Sequence, residues 1–238
     1  MKKAIEISIV LPVFNEGGNI EEQIKLIESG VSEKHEILVV YDFDGDNTVD
    51  AVKRIQKIYK NLHLVKNLYG RGLIKAVKTG FKKASGNFVV VMPADLADNP
   101  KTIEKMYEMA KDGFEIVCAT RYSRGGAKIG GPFLKTLFSK TAGLATPFFL
   151  GINITDIANG FKMYKKNILK EIKIESTGGW EFSTEIIVKA HNLGYKITEV
   201  PTVWKDRVVG KSKFKLLRWL PKYMRWYLLG LWWRVKDL

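Results

Sequence analysis

Five short runs rich in Val, Ile and aromatic residues alternate with helix-patterned stretches over residues 1–119, and this alternation constrains the fold most. Strands are expected over 5–11, 36–41, 62–66, 88–92 and 115–119. Helices are expected over 19–28, 48–59, 73–84 and 100–110, the last with Asn99 as N-cap and Pro100 at the first helical position. Apolar strands separated by single helices predict an α/β domain whose largely parallel sheet is covered on both faces. Open sheets of this kind bind ligands beyond the carboxyl ends of their strands. Polar residues collect at those ends: Asn15 and Glu16 after the first strand, Asp42, Asp44 and Asp46 after the second, Asp95 and Asp98 after the fourth. One crevice is expected to hold all three groups.

Beyond Tyr122 the pattern is less regular, with a helix expected near 133–145, a β-like run at 160–164, a helix over 182–192 and a strand over 196–204. With 238 residues and 46% apolar composition the chain can bury one substantial core. A single domain over 1–213 followed by amphipathic C-terminal helices over 214–238 is the expected organisation. The lone Cys118 excludes an intrachain disulfide and reads as a small core residue. His35, His63 and His191 fit no metal or nucleophile pattern, and no Gly-x-Ser-x-Gly turn suggests a serine hydrolase. Glu6 interrupts the apolar stretch after Met1-Lys2-Lys3, and no run of about 18 uncharged apolar residues follows. A cytoplasmic protein, peripheral at the cytoplasmic membrane face, is expected.

The net charge of +14 calls for an anionic partner: nucleic acid, a phosphorylated substrate or an acidic membrane surface. Residues 205–238 hold ten Lys or Arg against Asp206 and Asp237, and a second basic region carries Arg121, Arg124, Lys128, Lys135 and Lys140. In the tail, Lys211, Lys215, Arg218, Lys222 and Arg225 are spaced as one helical stripe, with Trp219, Leu220, Tyr223, Trp226 and Tyr227 on other faces. Cations interleaved with aromatics favour the headgroup region of a bilayer. Pro221 predicts two short helices rather than one rod. The alternative is a tail folded onto the core or paired with another chain, either a membrane protein or a second copy.

Leu11-Pro12-Val13-Phe14-Asn15-Glu16, followed by the strand ending at Asp42, resembles the opening of glycosyltransferase family 2, nearest to dolichyl-phosphate mannose synthases and related polyprenyl-phosphate enzymes. The likeness runs from about residue 7 to 214 and implies a GT-A-type fold and an inverting transfer from a sugar nucleotide. By that resemblance Pro12, Phe14, Glu16 and Asp42 surround the base and ribose, where carboxylates accept N–H and hydroxyl hydrogen bonds. An Asx-rich turn that caps the next helix is the competing reading, preferred for Asp46 but not for Asp42. Pro93-Ala94-Asp95 occupies the place of the family's Asp-x-Asp motif, whose carboxylates hold Mg2+ or Mn2+ against the diphosphate. Pro93 has no ligand atom, so either Asp95 and Asp98 share the metal with phosphate and water or metal dependence is weakened. For Asp98, capping of the helix after Asn99-Pro100 stands equally with ligation. Gly70-Arg71-Gly72 resembles the family's glycine-rich stretch, and is equally a plain turn before a helix.

Arg121 matches the Arg of the family's Ser-Arg-Tyr run, and Lys135 stands where Arg is common, keeping the charge without the bidentate fork. Lys135 and Ser139 share a helix face suited to one acceptor phosphate, although Lys135 and Lys140 also read as solvated charges. Asp156-Ile157-Ala158-Asn159-Gly160-Phe161 resembles the family's run near the sugar. Asp206 to Lys213 resembles its basic Gly-Lys-Ser turn, which points to Arg207 and Lys211, with Lys213 as helper, as phosphate contacts. The implied partners are a sugar nucleotide, a polyprenyl phosphate and a membrane surface, with no nucleic acid expected. A hydroxyl acceptor, with Asp156 as proton acceptor, is the second reading. A non-catalytic nucleic-acid or membrane binder is the third, and it has no need for acids at three strand ends.

Overall fold

The computed structural model describes residues 4–206 and 216–236. Its sheet grows from β1 (Ile7–Pro12) in two directions. The chain runs through α1 (Ile20–Gly30) to β2 (His35–Tyr41), then through α2 (Asn47–Ile55) to β3 (Leu62–Lys66). It then returns by α3 (Leu73–Lys83) to β4 (Phe88–Val91) on the other side of β1, and α4 (Thr102–Lys111) leads to β5 (Ile116–Thr120). Reversal of strand order at β1 opens a crevice between the ends of β1, β2 and β4, the topological switch point of an open α/β sheet.

Both faces of the sheet are covered, so its central strands are buried along their length rather than alternately. Ile7, Ile9 and Leu11 point into a core with Ile20, Ile24, Val52, Ile103 and Met106 from α1, α2 and α4. Val10 faces the opposite layer with Ala76 of α3. Cys118 is fully buried, as its sequence context implies. Burial pushes its thiol up to about 12, leaving it a core residue rather than a nucleophile.

The second half departs from a simple continuation. The β-like run becomes β7 (Lys162–Lys165), which inserts antiparallel between β4 and β5, while β8 (Ile197–Pro201) pairs parallel with β5 at the edge. The single strand expected over 196–204 divides, because β9 (Val203–Lys205) leaves the main sheet to pair with β6 (Ala127–Ile129). The remaining helices are α5 (Phe133–Leu150), α6 (Ile168–Glu171), α7 (Glu181–Asn192) and α8 (Leu216–Lys236).

Helix α8 continues through Pro221, correcting the expectation of two short helices. Proline removes one N–H donor there, and contacts on the C-terminal side hold the helix in place. Trp226 is buried and its Nε1 donates to Ser176 Oγ at 2.9 Å. The Tyr227 hydroxyl meets Thr146 and the Ala142 carbonyl on α5. The C-terminal helix therefore lies on the core.

Candidate active site

Each loop at the carboxyl edge of the sheet is braced by its neighbour. After β1, the backbone N–H of Asn15 donates to Asp46 Oδ2 at 3.0 Å, and that of Glu16 donates to Thr48 Oγ1 at 2.9 Å. Asp46 also accepts from the Thr48 N–H as the N-cap of α2, so its role is structural, as the competing reading held. Asn15 and Leu96 are the non-glycine residues with positive φ among those described, at 56° and 60°. They stand in the loops after β1 and β4, where strained backbone often marks a functional site.

Asp42 is more committed than a free nucleotide ligand would be. Its Oδ1 accepts from Asn67 Nδ2 at 2.8 Å and its Oδ2 from the Gly72 N–H at 2.9 Å. Gly72, with φ at 127°, supplies the backbone freedom this turn needs. The bond carries Arg71 into the cavity, where its guanidinium lies 4.8 Å from the Phe43 ring, itself 5.8 Å from Phe14. Each Asp42 oxygen retains a lone pair for a second donor.

After β4, Asp95 and Asp98 differ sharply. Asp95 is half-buried and accepts from the Ala97 N–H at 3.3 Å. Asp98 is buried, and neither of its carboxylate oxygens has a hydrogen-bond partner among the described residues. The capping alternative for Asp98 finds no bond, since Asn99 Oδ1 receives the Lys101 N–H instead. The start of the helix shifts accordingly, from the expected Pro100 to Thr102.

Burial first, then the Asp95 charge, pushes the Asp98 carboxyl up to about 7, with Arg121 opposing the shift. Two neighbouring carboxylates, one without any donor, suit a hard dication that draws its other ligands from phosphate and water. Among the described residues no group of three His, Cys, Asp or Glu forms a complete protein cage.

A stability prediction follows from Asp98. Its folded value lies above the unfolded one near 4, so ionisation disfavours the folded state. The metal-free protein is expected to lose stability, on the order of 4 kcal/mol at most, as pH rises from about 4 through about 7. Melting curves in EDTA should show this decline flattened in Asp98→Asn; equal slopes for the two proteins would refute it.

At the end of β5, Arg121 and Asp156 form a buried bidentate pair: Nε to Oδ2 at 2.7 Å and Nη2 to Oδ1 at 2.8 Å. The Arg121 N–H also donates to Asp156 Oδ2 at 3.1 Å. Asp156 thus anchors Arg121 and is shielded from the cavity, which leaves it poorly placed as a proton acceptor. Ser139 on α5 meets the Tyr122 hydroxyl, and Lys135 lies on the same helix. Arg207, Lys211 and Lys213 lie outside the described residues.

One cavity of about 760 Å³ joins these parts. Pro12, Phe14, Glu16, Asp42, Asp95, Asp98, Arg121 and Ser139 all line it. So do residues that sequence reasoning did not single out: Trp180, Trp204, and the α8 residues Leu220, Tyr223, Met224 and Tyr227 as cavity wall. Lys128, noted only as part of a basic region, arrives there by the pairing of β6 with β9; its Nζ lies 5.2 Å from the Trp204 ring and donates to Thr136 Oγ1 at 2.6 Å.

Residues 8–173 match the glycosyl transferase family 2 profile. The chain belongs to glycosyltransferase family 2. It is 31% identical over 231 residues to a dolichol-phosphate mannosyltransferase of Pyrococcus furiosus, covering 93% of this chain but 64% of that relative's length. It is also 26% identical over 211 residues to a polyprenol monophosphomannose synthase of Mycolicibacterium smegmatis, with 86% and 79% coverage. The family 2 fold aligns with a glucosyl-3-phosphoglycerate synthase from Mycobacterium tuberculosis in complex with Mn2+, UDP-glucose and phosphoglyceric acid. The TM-score is 0.70 at 18% identity, over 95% of this chain and 80% of that one. At that identity the match bears on the fold alone.

Proposed function

We propose that the protein transfers a hexosyl group from a sugar nucleotide to a polyprenyl phosphate at a membrane surface, with inversion at the anomeric carbon. The observation that carries this reading is the mixed lining of its cavity, which brings carboxylates and an apolar helix wall together. Acids at the strand ends and apolar residues of α5 and α8, including Phe138, Ala142, Leu220 and Met224, line the same cavity. Outside that wall the same helices present exposed Phe133, Phe148, Leu228 and Trp232, an apolar face suited to the lipid interface. No helix among the described residues is long and apolar enough to cross a membrane. The two curated relatives are named for mannosyl transfer to polyprenol-type lipids, which supports the same acceptor class.

A phosphate acceptor is already ionised near neutral pH, so its oxygen attacks the anomeric carbon without a general base. The bond from that carbon to the nucleoside diphosphate breaks, and the leaving group keeps the electron pair. Protein residues supply alignment and charge. Pro12, Phe14, Glu16 and Asp42 seat the nucleoside, with Arg71 stacked beside it. Asp95 and Asp98 would hold Mg2+ or Mn2+, which neutralises charge on the departing diphosphate. Arg121, whose Nε and one Nη are tied to Asp156, keeps further N–H groups for the acceptor phosphate, with Ser139 of the same cavity and, by the family resemblance, Lys135 as further contacts. Arg207 and Lys211, outside the described residues, are proposed as further phosphate contacts on the family resemblance alone.

A second reading has a specific basis: the structurally similar Mycobacterium tuberculosis enzyme is described in complex with a small acceptor, phosphoglyceric acid. Both readings are tested together by offering radiolabelled UDP-glucose and GDP-mannose with polyprenyl phosphate or 3-phosphoglycerate, with and without EDTA. Label entering the organic phase, and lost in EDTA, is the expected result. Transfer only to 3-phosphoglycerate would replace the lipid reading, and full activity in EDTA would remove the metal.

A further inference from the structure

Trp180 belongs to no motif in the sequence, yet its indole lines the central cavity beside Asn159 and Gly160. The ring lies directly on the Gly160 backbone, and a Cβ at that position would overlap it. Phe182 supports it from α7, with ring centroids 5.9 Å apart and planes inclined by 33°.

The segment leading into Trp180 is fastened at both ends by carboxylates from α7. Glu181 accepts the N–H groups of Gly178 and Gly179 at 2.8 and 2.6 Å. Glu185 accepts those of Glu175 and Ser176 at 2.6 and 2.8 Å. Both carboxylates are buried, and bonds from backbone N–H groups to ionised acceptors are among the strong ones. The indole is therefore presented to the cavity as a fixed surface.

A braced indole in a cavity that holds acids and Arg121 as well as apolar residues of α5 and α8 suits a ligand that is polar around its rim and apolar on its faces. A pyranose ring has this character: hydroxyls project around its rim, while its faces carry C–H bonds whose slight positive polarisation suits the negative face of an indole. The geometry points to Trp180 as the platform on which the donor's hexose ring stacks, making it a specificity-determining residue for the transferred sugar. This deepens the sugar-nucleotide reading above and rests on it. Glu181 is a positioning residue, acting through the backbone that carries the ring.

The test compares the binding of UDP, GDP, UDP-glucose and GDP-mannose to the full chain and to Trp180→Ala and Trp180→Phe. For the nucleotide that wild type accepts, Trp180→Ala is expected to weaken the sugar nucleotide about tenfold and the bare nucleoside diphosphate less than about twofold. Trp180→Phe should recover most of the loss. Unchanged binding of the diphosphate also shows that the variant is folded, and if the alanine variant does not fold, the phenylalanine variant carries the comparison with a smaller expected loss. Equal losses for both ligands, no loss for either, or an effect confined to the KM for polyprenyl phosphate would overturn the platform. Wild type that binds no sugar nucleotide would remove the donor reading itself, a failure seen before any variant is compared.

Discussion

Asp95→Ala is expected to lower sugar transfer by about 10³-fold while leaving thermal stability within about 1 kcal/mol of wild type. Pro93 offers no ligand atom, so no second carboxylate in the motif can substitute for Asp95. The loop that carries it is held independently: the Leu96 N–H donates to Gln23 Oε1 at 3.2 Å, and the Lys205 N–H donates to the Ala97 carbonyl at 2.8 Å. Removing the carboxylate therefore deletes charge from the cavity without releasing the backbone. It also relieves Asp98 of the Asp95 charge that helps to raise its carboxyl. Steady-state transfer and melting curves check both halves. Turnover within tenfold of wild type would remove the role given to Asp95.

Asp156→Ala should act in the opposite way, through stability first. Its side chain is fully buried against Arg121, which is 12% exposed, and deleting one partner of such a pair strands the other charge. A loss of about 3–5 kcal/mol is expected. Arg121→Met should cost a similar amount by stranding the carboxylate. The double variant Arg121→Met/Asp156→Leu should recover much of the stability, because the site then buries apolar groups of comparable size. Transfer should not return with it, since the guanidinium proposed to meet the acceptor phosphate is gone. Denaturant unfolding measures the first effect and turnover the second. Transfer near the wild-type rate in the stabilised double variant would show that Arg121 only braces the fold.

The positions of the strand ends were legible because their causes are local. Apolar runs of strand length and the helix patterns between them locate the acids at β1, β2 and β4 within a residue or two. Asp46 as a helix cap is also readable, since the bond spans two residues. Asp42 was only half readable: its place at the crevice follows from the strand, but its bonds to Asn67 and Gly72 join residues 25 and 30 positions away. Asp98 was undecidable from sequence, because capping and ligation use the same residue types. Its burial with no donor among the described residues removes the capping bond and leaves ligation as the proposal.

What the sequence by itself determined is the layered α/β architecture, the edge of the sheet that carries the chemistry and the identity of the acids there, since each depends on short-range periodicity and on strand direction. Tertiary structure alone decided the insertion of β7 between β4 and β5, the anchoring of Arg121 by Asp156, and the use of α8 and Trp180 as walls of the cavity. Strand order and side-chain pairing are settled by contacts between distant segments, whose energies appear only when the chain has closed on itself, and no local pattern records them.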